Sequence, residues 1–308
     1  MRRFFIFCLF SIFLTSCKEN KAKLVDSKEF PSELVQFVAF SKNPVFSGTD
    51  TNTWDRHIRE RGWIIKEDSI YHMWYTGYIR EEDEKHLGYA SSPDGYHWKR
   101  DPGNPVYSKG WVEDVCVIKS DSLYYMFSEG RGDTAHLLSS ADGTHWTERG
   151  NLDIRLANGD KIKPGPFGTP ALWKENGIWY LFYERNDQGI WLARSTDLKT
   201  WTHVQDDPVI KMGPQEYDRY AVAMDQVIKY KDLYYGYYHA SAFRDWHEWT
   251  SDIAVSPDLI HWKKYSGNPI LRENKSSAIL VPDGREFRLY SMHDKVQVHL
   301  PVTDSSKD

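Results

Sequence analysis

One phrase recurs four times in this chain and limits its fold more than any other feature. A serine is followed two residues later by an aspartate and, four after that, by a tryptophan: Ser92-Pro93-Asp94-Gly95-Tyr96-His97-Trp98. The same spacing returns as Ser140, Asp142 and Trp146, as Ser195, Asp197 and Trp201, and as Ser256, Asp258 and Trp262. Successive aspartates are 48, 55 and 61 residues apart. A period of that size marks a repeat architecture in which each unit buries its apolar face against the next.

Each copy closes the same frame of three short runs. These are residues 62–65, 70–77 and 87–90 in the first unit, 115–118, 123–127 and 136–138 in the second, 171–173, 178–183 and 190–193 in the third, and 226–228, 233–238 and 253–255 in the fourth. β-Branched and aromatic runs bounded by Asp, Asn and Gly predict strands joined by hairpins. With the strand after the tryptophan, each unit makes a four-stranded antiparallel sheet, one propeller blade. A fifth unit, 278–281, 287–290 and 296–298, lacks the phrase and any outer strand. Units end on Asn104-Pro105-Val106, Asp207-Pro208-Val209 and Asn268-Pro269-Ile270, and the same ending, Asn43-Pro44-Val45, precedes the first blade. Residues 34–40 are therefore expected to form the outer strand of the last blade and to leave no free sheet edge. The expectation is an all-β, five-bladed β-propeller spanning residues 34–303, with a tail at 304–308.

With 27% charged residues and a net charge of −5, the chain offers no basic face for nucleic acid. Its 15% aromatic content suits stacked sheets first and sugar contacts second. Met1-Arg2-Arg3 followed by apolar residues 4–14 reads as a secretory signal over 1–16, too short for a conventional membrane span. Leu14-Thr15-Ser16-Cys17 resembles a bacterial lipobox, which implies lipidation of Cys17 and a tether over 17–33. The expected location is that of an exported bacterial lipoprotein, periplasmic or on the outer-membrane surface, meeting the membrane only through its lipid. Cys116, in a predicted inner strand, is expected as a buried apolar residue with no disulfide partner.

In a blade the first strand follows the central channel and the second returns, so first-strand starts and second-strand ends share a face. The starts hold Trp54-Asp55-Arg56-His57, Arg59-Glu60-Arg61, Glu113-Asp114, Gly168-Thr169-Pro170, Glu216-Tyr217-Asp218-Arg219 and Asp225. The ends hold Glu129-Gly130-Arg131, Glu184-Arg185-Asn186-Asp187, His239 and His293. Carboxylates around one cavity suit glycoside hydrolysis, in which one carboxyl donates a proton and another, ionised, activates water or attacks carbon. Neighbouring carboxylates raise one another's pKa and arginines lower it, so such a rim can separate the two roles. Arg56, Arg59, Arg61, Arg131, Arg185 and Arg219 point to an anionic sugar unless they pair with adjacent Asp and Glu. His57, His239 and His293 lack the close spacing of metal ligands. No metal site or required cofactor is predicted, although a structural cation in the central channel is compatible with the architecture.

The stretch Tyr71-His72-Met73-Trp74-Tyr75-Thr76-Gly77, Leu87-Gly88-Tyr89-Ala90-Ser91-Ser92-Pro93-Asp94-Gly95, Trp98 and Asn104-Pro105-Val106 resembles the five-bladed propeller glycoside hydrolases. These include arabinanases and xylosidases, invertase-like and fructan-cleaving enzymes, mannoside phosphorylases and anhydrogalactosidases. The resemblance covers about residues 34–300. It implies an Asp from the first blade, an Asp from the second and a Glu or His acid further round. By position the first role goes to Asp55, with Glu60 as rival, and the second to Asp114 beside Glu113. The acid falls to Glu184, Glu216 or His293, with Asp225 adjusting its pKa. Substrate contacts are expected from Trp54, Arg56, His57, Glu60, Arg61, Glu113, Glu129, Arg131, Arg185, Arg219, His239 and His293. The first blade departs from the pattern, because Arg59-Glu60-Arg61-Gly62 stands where arabinanase-like enzymes place an Asp. The expected activity is hydrolysis of a glycosidic bond in a polysaccharide-derived oligosaccharide, anionic or neutral. The alternatives are a phosphorylase whose rim arginines hold phosphate, a non-catalytic carbohydrate-binding lipoprotein and a protein-interaction propeller.

Overall fold

The repeats build five antiparallel sheets in the computed structural model, which describes residues 28–59 and 61–302. The leader, Cys17, Glu60 and the 304–308 tail lie outside the described residues. Blade 1 consists of Trp63–Glu67, Ile70–Tyr78, His86–Ser92 and Lys99–Arg100. Blade 2 consists of Glu113–Ser120, Leu123–Gly130, Thr134–Ser140 and Thr147–Asn151. Blade 3 consists of Gly168–Glu175, Ile178–Glu184, Gly189–Ser195 and Thr200–His203, with Asp153–Arg155 added in parallel outside the last. Blade 4 consists of Ala221–Tyr230, Leu233–Ser241, Thr250–Ser256 and Lys263–Lys264. Blade 5 takes Ala278–Asp283, Glu286–Met292 and Lys295–Pro301 from the end of the chain and Phe37–Ala39 from its beginning, paired antiparallel.

The repeated phrase is a self-contained turn. Ser92 Oγ accepts the N–H of Gly95 at 2.9 Å, and Asp94 Oδ1 accepts those of Tyr96 and His97 at 2.9 and 2.8 Å. The other copies repeat the arrangement, which satisfies donors that a tight hairpin would otherwise leave unpaired. The closing tryptophan then reaches the preceding blade. Trp146 meets Trp74, Trp201 meets Phe127, Trp262 meets Phe182 and Trp98 meets Tyr290, all edge-on.

Blade 5 has no such phrase, so the blade 4–5 seam is filled otherwise. Residues 34–36, expected as strand, belong partly to a short helix, Ser32–Val35, whose buried Leu34 offers its carbonyl to the Tyr237 hydroxyl at 2.8 Å. Phe30, expected in the tether, is buried with its ring 4.8 Å from that of Tyr265. The packed chain thus begins before residue 34, because the seam needs apolar volume that the missing tryptophan does not supply.

The Asn-Pro endings also have a local cause. The side-chain amide of Asn104 accepts from the Tyr89 N–H and donates to the Tyr89 carbonyl, and Asn43 and Asn268 do the same at Val298 and Ile253. Each amide stands in for one residue of an outer strand. Cys116 is wholly buried in blade 2, where burial pushes its thiol up to about 12.

Candidate active site

The inner strands of blades 2 and 3 are bulged at their starts, at 113–116 and 168–171, and that of blade 4 in its middle, at 224–226. Arg61, Asp114, Thr169 and Ser277 each lie two residues before an equivalent inner-strand position, at Trp63, Cys116, Ala171 and Ile279. All four adopt left-handed backbone, with φ of 36°, 48°, 45° and 58°. Such a conformation costs a side-chain-bearing residue about 1–3 kcal/mol and persists where surrounding structure fixes it. Bulges re-aim side chains. Here they turn successive blades toward one cavity.

That cavity, about 370 Å³, is lined by Arg59, Glu113, Asp114, Glu129, Asp133, Glu184, Asp187, His239, Asp245, Trp246, Trp249 and His293, with Thr169, Asn186, Ser276 and Ser277. Glu113 and Glu129 face each other across neighbouring strands, and oxygens of Glu113, Asp114 and Glu129 lie within 4.8 Å of one another. Arg59 Nε is 3.0 Å from Glu113 Oε2, and Arg61 Nε is 3.7 Å from Asp114 Oδ1. The three carboxylates have the spacing of a divalent-cation site, but two guanidiniums already supply positive charge there.

Two of the cavity carboxyls, Glu129 and Glu184, are pushed upward in pKa. Burial first, then the charges of Asp114, Glu113 and Glu184, raise Glu129 well above the usual carboxyl range. Burial first, then the charge of Asp187, raises Glu184 to about 7. Glu184 accepts the N–H of Gly168 at 3.2 Å and that of Asp187 at 2.5 Å, while Glu129 accepts the N–H of Thr169 at 2.8 Å. Gly168 lets both approach, since a methyl group there would collide with Glu129 and lie 2.7 Å from Glu184 Oε1. Behind the cavity, burial opposes charge on His239, but Asp225 at 2.7 Å overrides it and lifts the imidazole to about 9.

The structure brings Arg59, Glu113, Asp114, Glu129, Glu184, His239 and His293 to the cavity, with Thr169, Asn186 and Asp187; Glu60 lies outside the described residues, and the remaining sequence candidates lie elsewhere. Asp55 is buried but accepts from Arg100 at 2.7 Å, Tyr75 at 3.0 Å and Thr53 at 3.0 Å, outside the lining. The short strand His57–Ile58 pairs with Ile70–Tyr78 and carries residues 54–57 along the blade, so the blade 1 counterpart of Asp114 is Arg61. Trp54 stacks near Tyr75, His57 lies against Tyr78, and Arg56 approaches Glu81 at 4.0 Å. Glu216 pairs with Arg219 on the exterior and faces a different depression. Asp225 is wholly buried beneath His239.

The arginines do not converge. Arg131 pairs with Asp83, Arg185 binds the carbonyls of Lys163, Pro164 and Pro166, and Arg61 is sealed in the channel. Of the six, Arg59 alone lines the cavity.

Asp133, Asp245, Trp246, Trp249, Ser276 and Ser277 escaped the sequence reading. Residues 242–249 form the longest connection between second and third strands of any blade, and three aromatic residues within it were the available signal.

No family model matches the chain. It is 26% identical over 229 residues to the 1,2-beta-oligomannan phosphorylase of Thermoanaerobacter sp. (strain X514), covering 68% of this chain and 73% of that one. It is 24% identical over 169 residues to Escherichia coli sucrose-6-phosphate hydrolase, covering 46% of this chain and 34% of the enzyme. Among solved structures, a putative glycoside hydrolase from Parabacteroides distasonis ATCC 8503 superposes with a TM-score of 0.73 at 17% identity, covering 89% and 98% of the two chains. The beta-1,2-mannobiose phosphorylase of Listeria innocua superposes with a TM-score of 0.68 at 15% identity, covering 88% and 98%. The protein shares the five-bladed propeller fold of these carbohydrate-active enzymes, and its relatives include both hydrolases and phosphorylases.

Proposed function

We propose that the cavity hydrolyses a glycosidic bond of a neutral oligosaccharide. Glu184 donates the proton to the leaving oxygen, and ionised Asp114, beside Glu113, activates water or attacks the anomeric carbon. The observation that carries this reading is that Glu184 is held at about 7 in the same cavity as Asp114, whose carboxylate lies 3.7 Å from the Arg61 guanidinium. A carboxyl poised near the working pH is the most effective acid catalyst.

Charge favours hydrolysis over phosphorolysis. Seven carboxyl groups line the cavity, two of them raised in pKa, against the Arg59 guanidinium, which already pairs with Glu113, and the His239 imidazolium, which already pairs with Asp225. A phosphate dianion would meet net repulsion, as would an anionic sugar. The oligomannan-directed relative makes β-1,2-linked mannose oligomers the first substrates to try. Purified protein is expected to release free sugar from them, or from another neutral series, in phosphate-free buffer. Product that forms only with added phosphate, as a sugar phosphate, would establish phosphorolysis instead.

The leader-like residues 1–16 and Cys17 support an exported, lipid-anchored enzyme. Metabolic labelling with palmitate is expected to mark the wild-type chain and to fail with Cys17→Ala.

A further inference from the structure

A second depression, about 800 Å³, shares a wall with the catalytic cavity. The wall is the 242–249 connection. Phe243 and Glu248 line the outer depression, whereas Asp245, Trp246 and Trp249 line the inner cavity. Both open at the same end of the strands, since Phe243 follows a second strand and Glu216 and Tyr217 of the outer depression precede a first.

The connection is fastened at its base. The Ser241 hydroxyl contacts the carbonyls of Phe243 and Glu248 at 3.3 and 2.8 Å and lies 3.1 Å from the Phe243 amide nitrogen. Among the described residues, Phe243 and Trp246 are the exposed large aromatic side chains, at 37% and 42%, and they stand on opposite flanks of this one wall. Trp246 is held there at φ 55°, a conformation an aromatic residue rarely adopts, and the Phe243 ring is backed by His247 at 3.9 Å. Exposed apolar faces bordering a polar cleft mark a binding surface. The outer depression mixes Lys211, Lys264 and Arg272 with Glu216 and Glu248, and Lys264 is already paired with Asp218, a balance suited to an uncharged ligand.

We propose that residues 242–249 are a sugar-binding ridge which an oligosaccharide crosses. Its reacting end lies beside Glu184 and Asp114, one ring packs on Trp246, and further units continue past Phe243 into the outer depression. The identity of the substrate class rests on the hydrolytic reading; the ridge itself is tested by binding. Calorimetric titration of Glu184→Gln protein with oligomers of two, four and six units, in β-1,2-mannose, β-1,4-mannose and α-1,5-arabinose series, is expected to show affinity rising with length in one series. The gain from dimer to hexamer should be about tenfold, the scale of one added aromatic contact. Adding Phe243→Ala should remove most of the gain for the hexamer, and adding Trp246→Ala should weaken every length.

Equal affinity at all lengths, no binding in any series, or a hexamer affinity unmoved by Phe243→Ala overturns the ridge. Length-dependent binding by wild-type protein that releases no sugar without phosphate would defeat the hydrolytic reading and leave the ridge standing. Phe243 is solvent-exposed, and unchanged thermal midpoints would confirm that the variant folds.

Discussion

In the proposed hydrolysis Glu184 must keep a proton while Asp114 acts as the carboxylate; burial and the charge of Asp187 hold Glu184 up, whereas Asp114 has the Arg61 guanidinium 3.7 Å away. Because its folded pKa lies near 7, above the ordinary value, Glu184 stays protonated up to that point and releases its proton as pH rises through it. kcat/KM is therefore expected to fall on the alkaline side with a limb near pH 7. Glu184→Gln should lower kcat about 10²–10⁴-fold and abolish that limb. A rate within threefold of wild type would remove Glu184 from the acid role. Gly168→Ala removes no carboxyl yet pushes Glu129 and Glu184 aside together, so a smaller loss of kcat is expected. Asp55→Asn makes the contrasting case. Its carboxylate is engaged by Arg100, Tyr75 and Thr53, so unfolding should be easier by about 2 kcal/mol while kcat changes little. A collapse of kcat without loss of stability would return Asp55 to the chemistry.

Elements were legible in the sequence wherever their cause was local. The Ser-x-Asp turn is closed by bonds between residues two or three apart, so its four copies announce themselves. The Asn amide that pairs with a third strand has a fixed place in three of the frames for the same reason. What sequence spacing hides is register at the channel. Nothing near Asp55 reveals that His57–Ile58 will pair with Ile70–Tyr78, and that pairing decides that Arg61, not Asp55, faces Asp114. The cavity carboxyls of blades 2 and 3 were readable because those blades enter their inner strands directly, at Glu113 and Gly168. The tryptophan wedge allows a quantitative check at this scale. Trp201 is wholly buried against Phe127, so Trp201→Ala is expected to cost about 3–5 kcal/mol, read from urea unfolding. A cost below 1 kcal/mol would mean the seam is held elsewhere.

Across the whole molecule, the ring is tied at its axis by side chains as well as by its closing strand. The Arg61 guanidinium, from blade 1, donates to the carbonyls of Asp114 in blade 2, Pro170 in blade 3, and Met224 and Asp225 in blade 4. Gln226 then exchanges both amide bonds with Leu280 of blade 5. A wholly buried cationic fork thus stands at the axis, where the architecture is also compatible with a cation, and it lies 3.7 Å from Asp114. Arg61→Met would strand four carbonyls and leave the Asp114 carboxylate without its buried counter-charge. Removing one partner of such a pair costs about 3–5 kcal/mol. For a domain of this size that corresponds to a fall of roughly 10 °C in Tm. Arg61→Lys restores charge but not the fork that reaches three blades at once, so scanning calorimetry should place it between the other two. If Arg61→Met melts within 2 °C of wild type, the blades are held by their tryptophan seams alone, and the guanidinium serves the carboxylates rather than the ring.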